Sequence, residues 1–187
     1  AKEDNSSWIN LSNIFLMCRD LDLIVVMPTT YRGSYVDAVY GQNYYTYISE
    51  ELPVKMKNIF PISDDPKDTF IMGESMGGYG TMRIALSKPE NYAKAVVLSG
   101  GNFDPFHSFM TSKLTTGVFG DSETWKNSDN NLVNLVQKLK TSTILPEMQF
   151  YCGTEDRAYD SCKEFYEYIK NELPLMKISA KWDSGEH

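Results

Sequence analysis

The chain has 187 residues, enough for one domain with a hydrophobic core. It is 42% hydrophobic and 23% charged, which speaks against disorder. Its formal net charge of -7 speaks against a nucleic-acid or anionic-membrane partner, since either needs a basic face. No apolar run approaches the roughly 20 residues of a membrane-spanning helix, and no secretory leader is legible after Ala1. The three cysteines, Cys18, Cys152 and Cys162, are odd in number and lack metal-ligand spacing. They read as reduced thiols, which favours a cytoplasmic setting.

In chain order, Asn5-Ser6-Ser7 before Trp8-Ile9 predicts a helix N-cap. Leu23-Ile24-Val25-Val26-Met27-Pro28 is continuously apolar and β-branched, and predicts a strand covered on both faces. A polar, aromatic loop follows over residues 29–42. Residues 45–60 are amphipathic, with Tyr45, Ile48, Leu52, Met56 and Ile59 at helical spacing; Pro53 inside them predicts a kink or a division. Residues 69–73 predict a strand, Met76 to Ser87 a helix stopped by Lys88-Pro89, and residues 93–99 a third strand closed by Gly100-Gly101.

Residues 103–144 break this rhythm. They are rich in Phe, Thr, Ser and Asn, with a helical stretch near Leu132 to Leu139, and read as a cap inserted over a site. Residues 148–152 predict a fourth strand, 161–173 a helix and 177–182 a last strand. Alternation of strand and helix throughout predicts an α/β fold with a mostly parallel sheet, in one domain over residues 1–187.

The chemistry starts at Gly73-Glu74-Ser75-Met76-Gly77. This is a G-x-S-x-G run between a predicted strand and a predicted helix, the setting of a nucleophile elbow. The outer glycines lack Cβ atoms, so the chain can turn sharply around the serine. The turn aims a helix N-terminus at any oxyanion formed there, with the Met76 N–H as one donor.

A serine hydroxyl needs a base beside it, and histidine suits best near neutral pH. The chain has two histidines. His187 follows a predicted strand and a glycine at the same sheet edge as Ser75. His107 sits in the predicted cap and reads as a surface or cap residue. Gly153-Thr154-Glu155-Asp156 follows the fourth strand and offers the acid that fixes the imidazole. Asp156 is the expected acid, with Glu155 beside it as the weaker alternative. Ser75, Asp156 and His187 then follow the chain order of an α/β-hydrolase triad. The second oxyanion donor normally comes from a loop after an earlier strand, and no such strand and loop stand upstream of Asn5.

These motifs carry a resemblance. Residues 69–80 look like the elbow of the esterase D-like "putative esterase" family, which includes tributyrin-type and feruloyl or cinnamoyl esterases and is similar to S-formylglutathione hydrolases. Residues 44–53 resemble that family's helix before the elbow, and Gly153-Thr154-Glu155-Asp156 and Gly185-Glu186-His187 fall where it keeps its acid and histidine. The resemblance implies an α/β-hydrolase fold and a serine carboxylesterase that needs no metal or organic cofactor. Its substrate would be a small-molecule or carbohydrate-linked ester, with short acyl or feruloyl groups, and a homo-oligomer is compatible with it. A thioesterase or acyltransferase using the same residues, or an inactive binding protein on the same fold, are the rival readings. Family members are longer, with strands and an oxyanion loop before the position of Ala1 and a helix after the histidine. The resemblance therefore implies that these residues are the middle and end of a longer hydrolase.

The aromatic residues Tyr31, Tyr35, Tyr40, Phe103, Phe106 and Phe109 are candidates either for a substrate pocket or for core packing. Asp37 and Asp104 read as loop acids.

Overall fold

The computed structural model describes residues 4–106 and 112–187. Two short helices, α1 (Ser7–Leu11) and α2 (Ile14–Cys18), open the chain. Ser6 stands at the N-cap of α1 but makes no side-chain capping bond, and no residue of either helix is buried. After a long loop come α3 (Tyr44–Thr46), a π-helical turn (Tyr47–Glu51) and α4 (Leu52–Ile59). The predicted division at Pro53 takes this form. Proline lacks the N–H of a regular helix, and its ring crowds the carbonyl one turn earlier. A π turn widens the backbone just ahead of it, and Pro53 then sits in the first turn of α4, where a missing N–H costs little.

The rest is strand and helix in alternation: β1 (Phe70–Glu74), α5 (Met76–Ser87), β2 (Lys94–Leu98), α6 (Ser112–Phe119), α7 (Ser122–Lys126), α8 (Leu132–Leu139), β3 (Met148–Gly153), α9 (Tyr159–Glu172) and β4 (Ile178–Asp183). The four strands are parallel and lie in the order β1-β2-β3-β4. Each predicted strand from residue 69 onward is present to within a residue or two at its ends.

The register explains the core. Ile71, Ala95, Met148 and Ile178 stand side by side across the sheet, as do Gly73, Val97, Phe150 and Ala180. These residues point to one face, because side chains alternate along a strand. On that face the core closes with Met82, Leu86, Leu132, Val136, Phe165 and Ile169 from α5, α8 and α9. α5 packs against α8, and α8 against α9. The segment 103–144 thus contributes to this core through Phe119, Trp125, Leu132 and Val136.

The predicted strand over Leu23 to Pro28 does not form. Residues 24–30 carry no regular structure, and Leu23, Ile24, Val25 and Val26 are 40% to 48% exposed. An apolar, β-branched run supplies propensity, but a strand exists only when a neighbour completes its hydrogen-bond ladder. Among the described residues, β1 pairs only with β2, so this run has no ladder to join.

Candidate active site

The carboxyl ends of all four strands lie along one edge of the sheet, and the candidate residues gather there. β1 ends at Glu74, and Met76 opens α5. Ser75 makes the turn alone, with φ 54° and ψ −114°. A non-glycine residue at such a φ stores strain that its surroundings must hold. Part of that hold is the Ser75 N–H, which donates to the Leu98 carbonyl at the end of β2 at 2.8 Å. The turn is tight enough that a Cβ on Gly73 would stand 2.2 Å from the Gly77 carbonyl oxygen. Only glycine fits there. The first N–H groups of α5 have no partner within the helix, so the Met76 N–H lies at its positive end, next to the serine.

The three residues singled out by the sequence come together. The Ser75 hydroxyl lies 2.9 Å from His187 Nε2, and His187 Nδ1 lies 2.9 and 3.0 Å from the two carboxylate oxygens of Asp156. An ionised carboxylate only accepts, so Nδ1 carries the proton toward Asp156 and Nε2 is left free to accept from Ser75. The Asp156 side chain is 0% exposed and that of His187 is 23% exposed. Burial works to raise the Asp156 carboxyl. Hydrogen bonds from the Ser99 hydroxyl, the Ala158 N–H and His187 outweigh it and hold the carboxyl below its ordinary value. The Ala158 bond is 2.7 Å long, and the Tyr159 N–H donates to the Asp156 carbonyl at 2.9 Å, so the acid is fixed by the start of α9.

Sequence reasoning missed Ser99. It follows β2 directly, with φ 50°, and its N–H donates to the Tyr151 carbonyl at 2.8 Å. It is a second strained serine at the end of a strand, placed against the acid as Ser75 is placed against the base. The signal was present in Leu98-Ser99-Gly100-Gly101, which echoes the elbow in composition.

The aromatic candidates divide. Tyr35 lies on the elbow helix: a Cβ on Gly80 would meet its ring at 2.4 Å, and one on Gly77 would stand 3.5 Å from its hydroxyl. Burial raises the Tyr35 phenol above its usual range, against a hydrogen bond with Thr30. Tyr31, Ser34 and Tyr35 all have positive φ, so this loop is strained where it meets the elbow. Tyr31 and Tyr40 line a cavity of about 190 Å³ with Arg32, Leu114 and Val118. Phe103 packs on Tyr79 and Phe119, with ring centroids 5.5 and 6.0 Å away, and Phe106 packs on Trp125 at 6.0 Å. Both are partly buried and pack against the core. His107 and Phe109 lie outside the described residues.

The two loop acids also have structural partners. Asp37 accepts from the Thr46 N–H at 2.9 Å and its hydroxyl at 2.6 Å, which anchors the last residue of α3. Asp104 accepts from the Phe106 N–H at 2.8 Å. Glu155, the alternative acid, bonds instead to Ser184 and Gly185 in the loop before the imidazole. Among the described residues, no three His, Cys, Asp or Glu side chains cluster to hold a metal ion, and no helix is long and apolar enough to cross a membrane.

Comparison with known proteins fits this geometry. An acetyl esterase of Caldicellulosiruptor saccharolyticus is 26% identical over 96% of this chain, which spans 71% of that protein. An S-formylglutathione hydrolase of Paracoccus denitrificans is 31% identical over 82% of this chain and 52% of its own length. The solved structure of FphF, a fluorophosphonate-binding serine hydrolase of Staphylococcus aureus, superposes with a TM-score of 0.90 at 27% identity, covering 99% of this chain and 72% of that one. The sheet and its helices are therefore those of an α/β-hydrolase. The sequence profile of the family described as "Putative esterase" matches residues 25–174, and the chain belongs to that family of ester hydrolases.

Proposed function

We propose that this chain carries the catalytic centre of a serine carboxylesterase acting on short acyl esters, with acetyl and feruloyl esters, including those carried on carbohydrate, as its substrate class. The observation that carries this reading is the continuous line of hydrogen bonds from Ser75 through His187 to Asp156.

The Ser75 hydroxyl attacks the ester carbonyl carbon while His187 Nε2 takes its proton. Asp156, ionised and held below its ordinary value, stabilises the imidazolium that forms. The carbonyl oxygen becomes an oxyanion next to the Met76 N–H, at the positive end of α5. Collapse of the tetrahedral species breaks the bond to the alcohol oxygen, which leaves with the proton from Nε2. The acyl group stays on Ser75. Water then gives a proton to Nε2, attacks the acyl carbon and releases the acid, restoring the serine hydroxyl. The sum is one ester and one water consumed, one acid and one alcohol formed, with no cofactor in any step.

Ser75→Ala tests the reading. Turnover of p-nitrophenyl acetate is expected to fall by about 10³-fold or more, as for removal of a triad nucleophile. Turnover near that of the unmutated protein would overturn it. A second reading, thioester hydrolysis, is favoured by the S-formylglutathione hydrolase among the relatives. Comparing kcat/KM on S-formylglutathione and on aryl acetates separates the two.

A further inference from the structure

The acid next to Asp156 has its own set of bonds. Glu155 Oε2 accepts the Gly185 N–H at 2.5 Å and the Thr154 hydroxyl at 3.0 Å, while Oε1 accepts the Ser184 hydroxyl at 3.4 Å. The backbones bond in the opposite sense: the Glu155 N–H donates to the Gly185 carbonyl at 3.1 Å, and the Thr154 N–H to the Asp183 carbonyl at 2.8 Å. Gly185 therefore both gives to and receives from one residue.

These bonds carry the β3–β4 pairing past its last ladder partners, Gly153 and Asp183. The two loops approach so closely that a Cβ on Gly153 would stand 2.0 Å from the Gly185 carbonyl oxygen. His187 follows two residues later. Among the described residues, every hydrogen bond that holds residues 184–187 runs to Glu155, Asp156 or Ser75. The bond to Ser75 passes a proton during the reaction, and the bond to Asp156 changes strength as the imidazole gains charge. Glu155 supplies the tethers that do neither.

We propose that Glu155 is a positioning residue for the ester hydrolysis set out above: its carboxylate clamps the Gly185 N–H and so fixes the His187 imidazole between Asp156 and Ser75. The inference rests on that reading of the reaction. A carboxylate accepting an N–H makes a stronger, shorter bond than a neutral acceptor. The bonds are at the surface, so their worth lies in orienting the loop rather than in holding the fold. The Gly185 N–H, and after it the Thr154 hydroxyl, hold the Glu155 carboxyl below its ordinary range, so the clamp stays charged at neutral pH.

The test compares Glu155→Ala, Glu155→Asp and Glu155→Gln with the unmutated chain and with Ser75→Ala, on p-nitrophenyl acetate. In Glu155→Ala, kcat is expected to fall about 10²-fold, the scale of a small misplacement of a catalytic group, with KM and melting temperature little changed. Glu155→Asp keeps the charge but is one methylene short of Gly185, and should behave like the alanine variant. The amide oxygen of Glu155→Gln can still accept, and should restore most of the activity. The downfield proton resonance of His187 Nδ1 should be sharp in the unmutated and Gln chains and exchange-broadened in the Ala and Asp chains. Full kcat with a sharp resonance in Glu155→Asp or Glu155→Ala overturns the clamp. Loss of kcat that Gln fails to restore also overturns it. Full turnover by Ser75→Ala would instead overturn the esterase reading, while the resonance still reports on the clamp.

Discussion

The two faces of the sheet are built from the same strands and live in different surroundings. On one face Ala95, Val97, Met148 and Phe150 are fully buried under α5, α8 and α9. On the other, Phe70 is 66% exposed, Met72 48% and Tyr151 39%, alongside an ion pair of Lys181 and Asp183 that is itself exposed. The catalytic candidates hang from the ends of the strands, and two of the three run directly into helices of the covered side. Ser75 leads into α5, Asp156 leads into α9, and Cys152 and Cys162 pack behind the acid. The covered face supports the serine and the acid, whereas the imidazole is held by the surface loops that follow β3 and β4.

That contrast can be broken by measurement. The largest expected effect is on the covered side: Phe150→Ala removes a ring that is 0% exposed and should cost about 3–5 kcal/mol in urea unfolding. A cost below about 1 kcal/mol would mean that the covered layer is loosely packed. Next is the acid behind the site. Asp156 titrates lower folded than unfolded, so its charge stabilises the fold above the ordinary value of 3.8 and that contribution fades as pH falls through the lower, folded value. The gap in urea midpoint between the unmutated chain and Asp156→Asn should therefore be widest near neutral pH and close as pH drops below 3.8. A gap that widens toward acid would reverse the sign of the argument.

The thiols give a subtler readout. Burial pushes Cys162 up to about 12 and raises Cys152, whereas Cys18 is half-exposed on α2. A disulfide reagent at neutral pH should label Cys18 quickly and reach the other two only after unfolding. The smallest effect belongs to the open face, where Phe70→Ser should change stability by no more than about 0.5 kcal/mol. A loss of about 2 kcal/mol or more there would show that this face is covered in the working protein.

The sequence made some of this legible and hid the rest for definite reasons. Gly73, Ser75 and Gly77 could be read because a strand-to-helix turn is a local event with strict steric demands. Asp156 and His187 could be read because each follows a strand that announces itself in apolar residues. Leu23 to Pro28 misled because pairing is decided by a distant neighbour, while propensity is written in the run itself. Glu155 reads only as a weaker alternative to Asp156 because its partner lies 30 residues away across two loops. Ser99 was silent for a similar reason: its importance comes from its proximity to Asp156, which only the strand order creates.

The side-by-side placement of β3 and β4 has a consequence for how such enzymes can vary. Acid and imidazole are 31 residues apart in the chain. Their meeting is set by one strand register, Gly153 beside Asp183, and by a few residues of loop on each side. The length of α9 between them does not enter. Whole turns can be added to or taken from that helix, or a surface excursion grafted onto its far end, without shifting the imidazole. A single residue inserted in β4 would rotate the tail to the wrong side of the sheet. Tolerance to length change along this stretch should therefore be sharply uneven, generous through the helix and absent in the strand that follows.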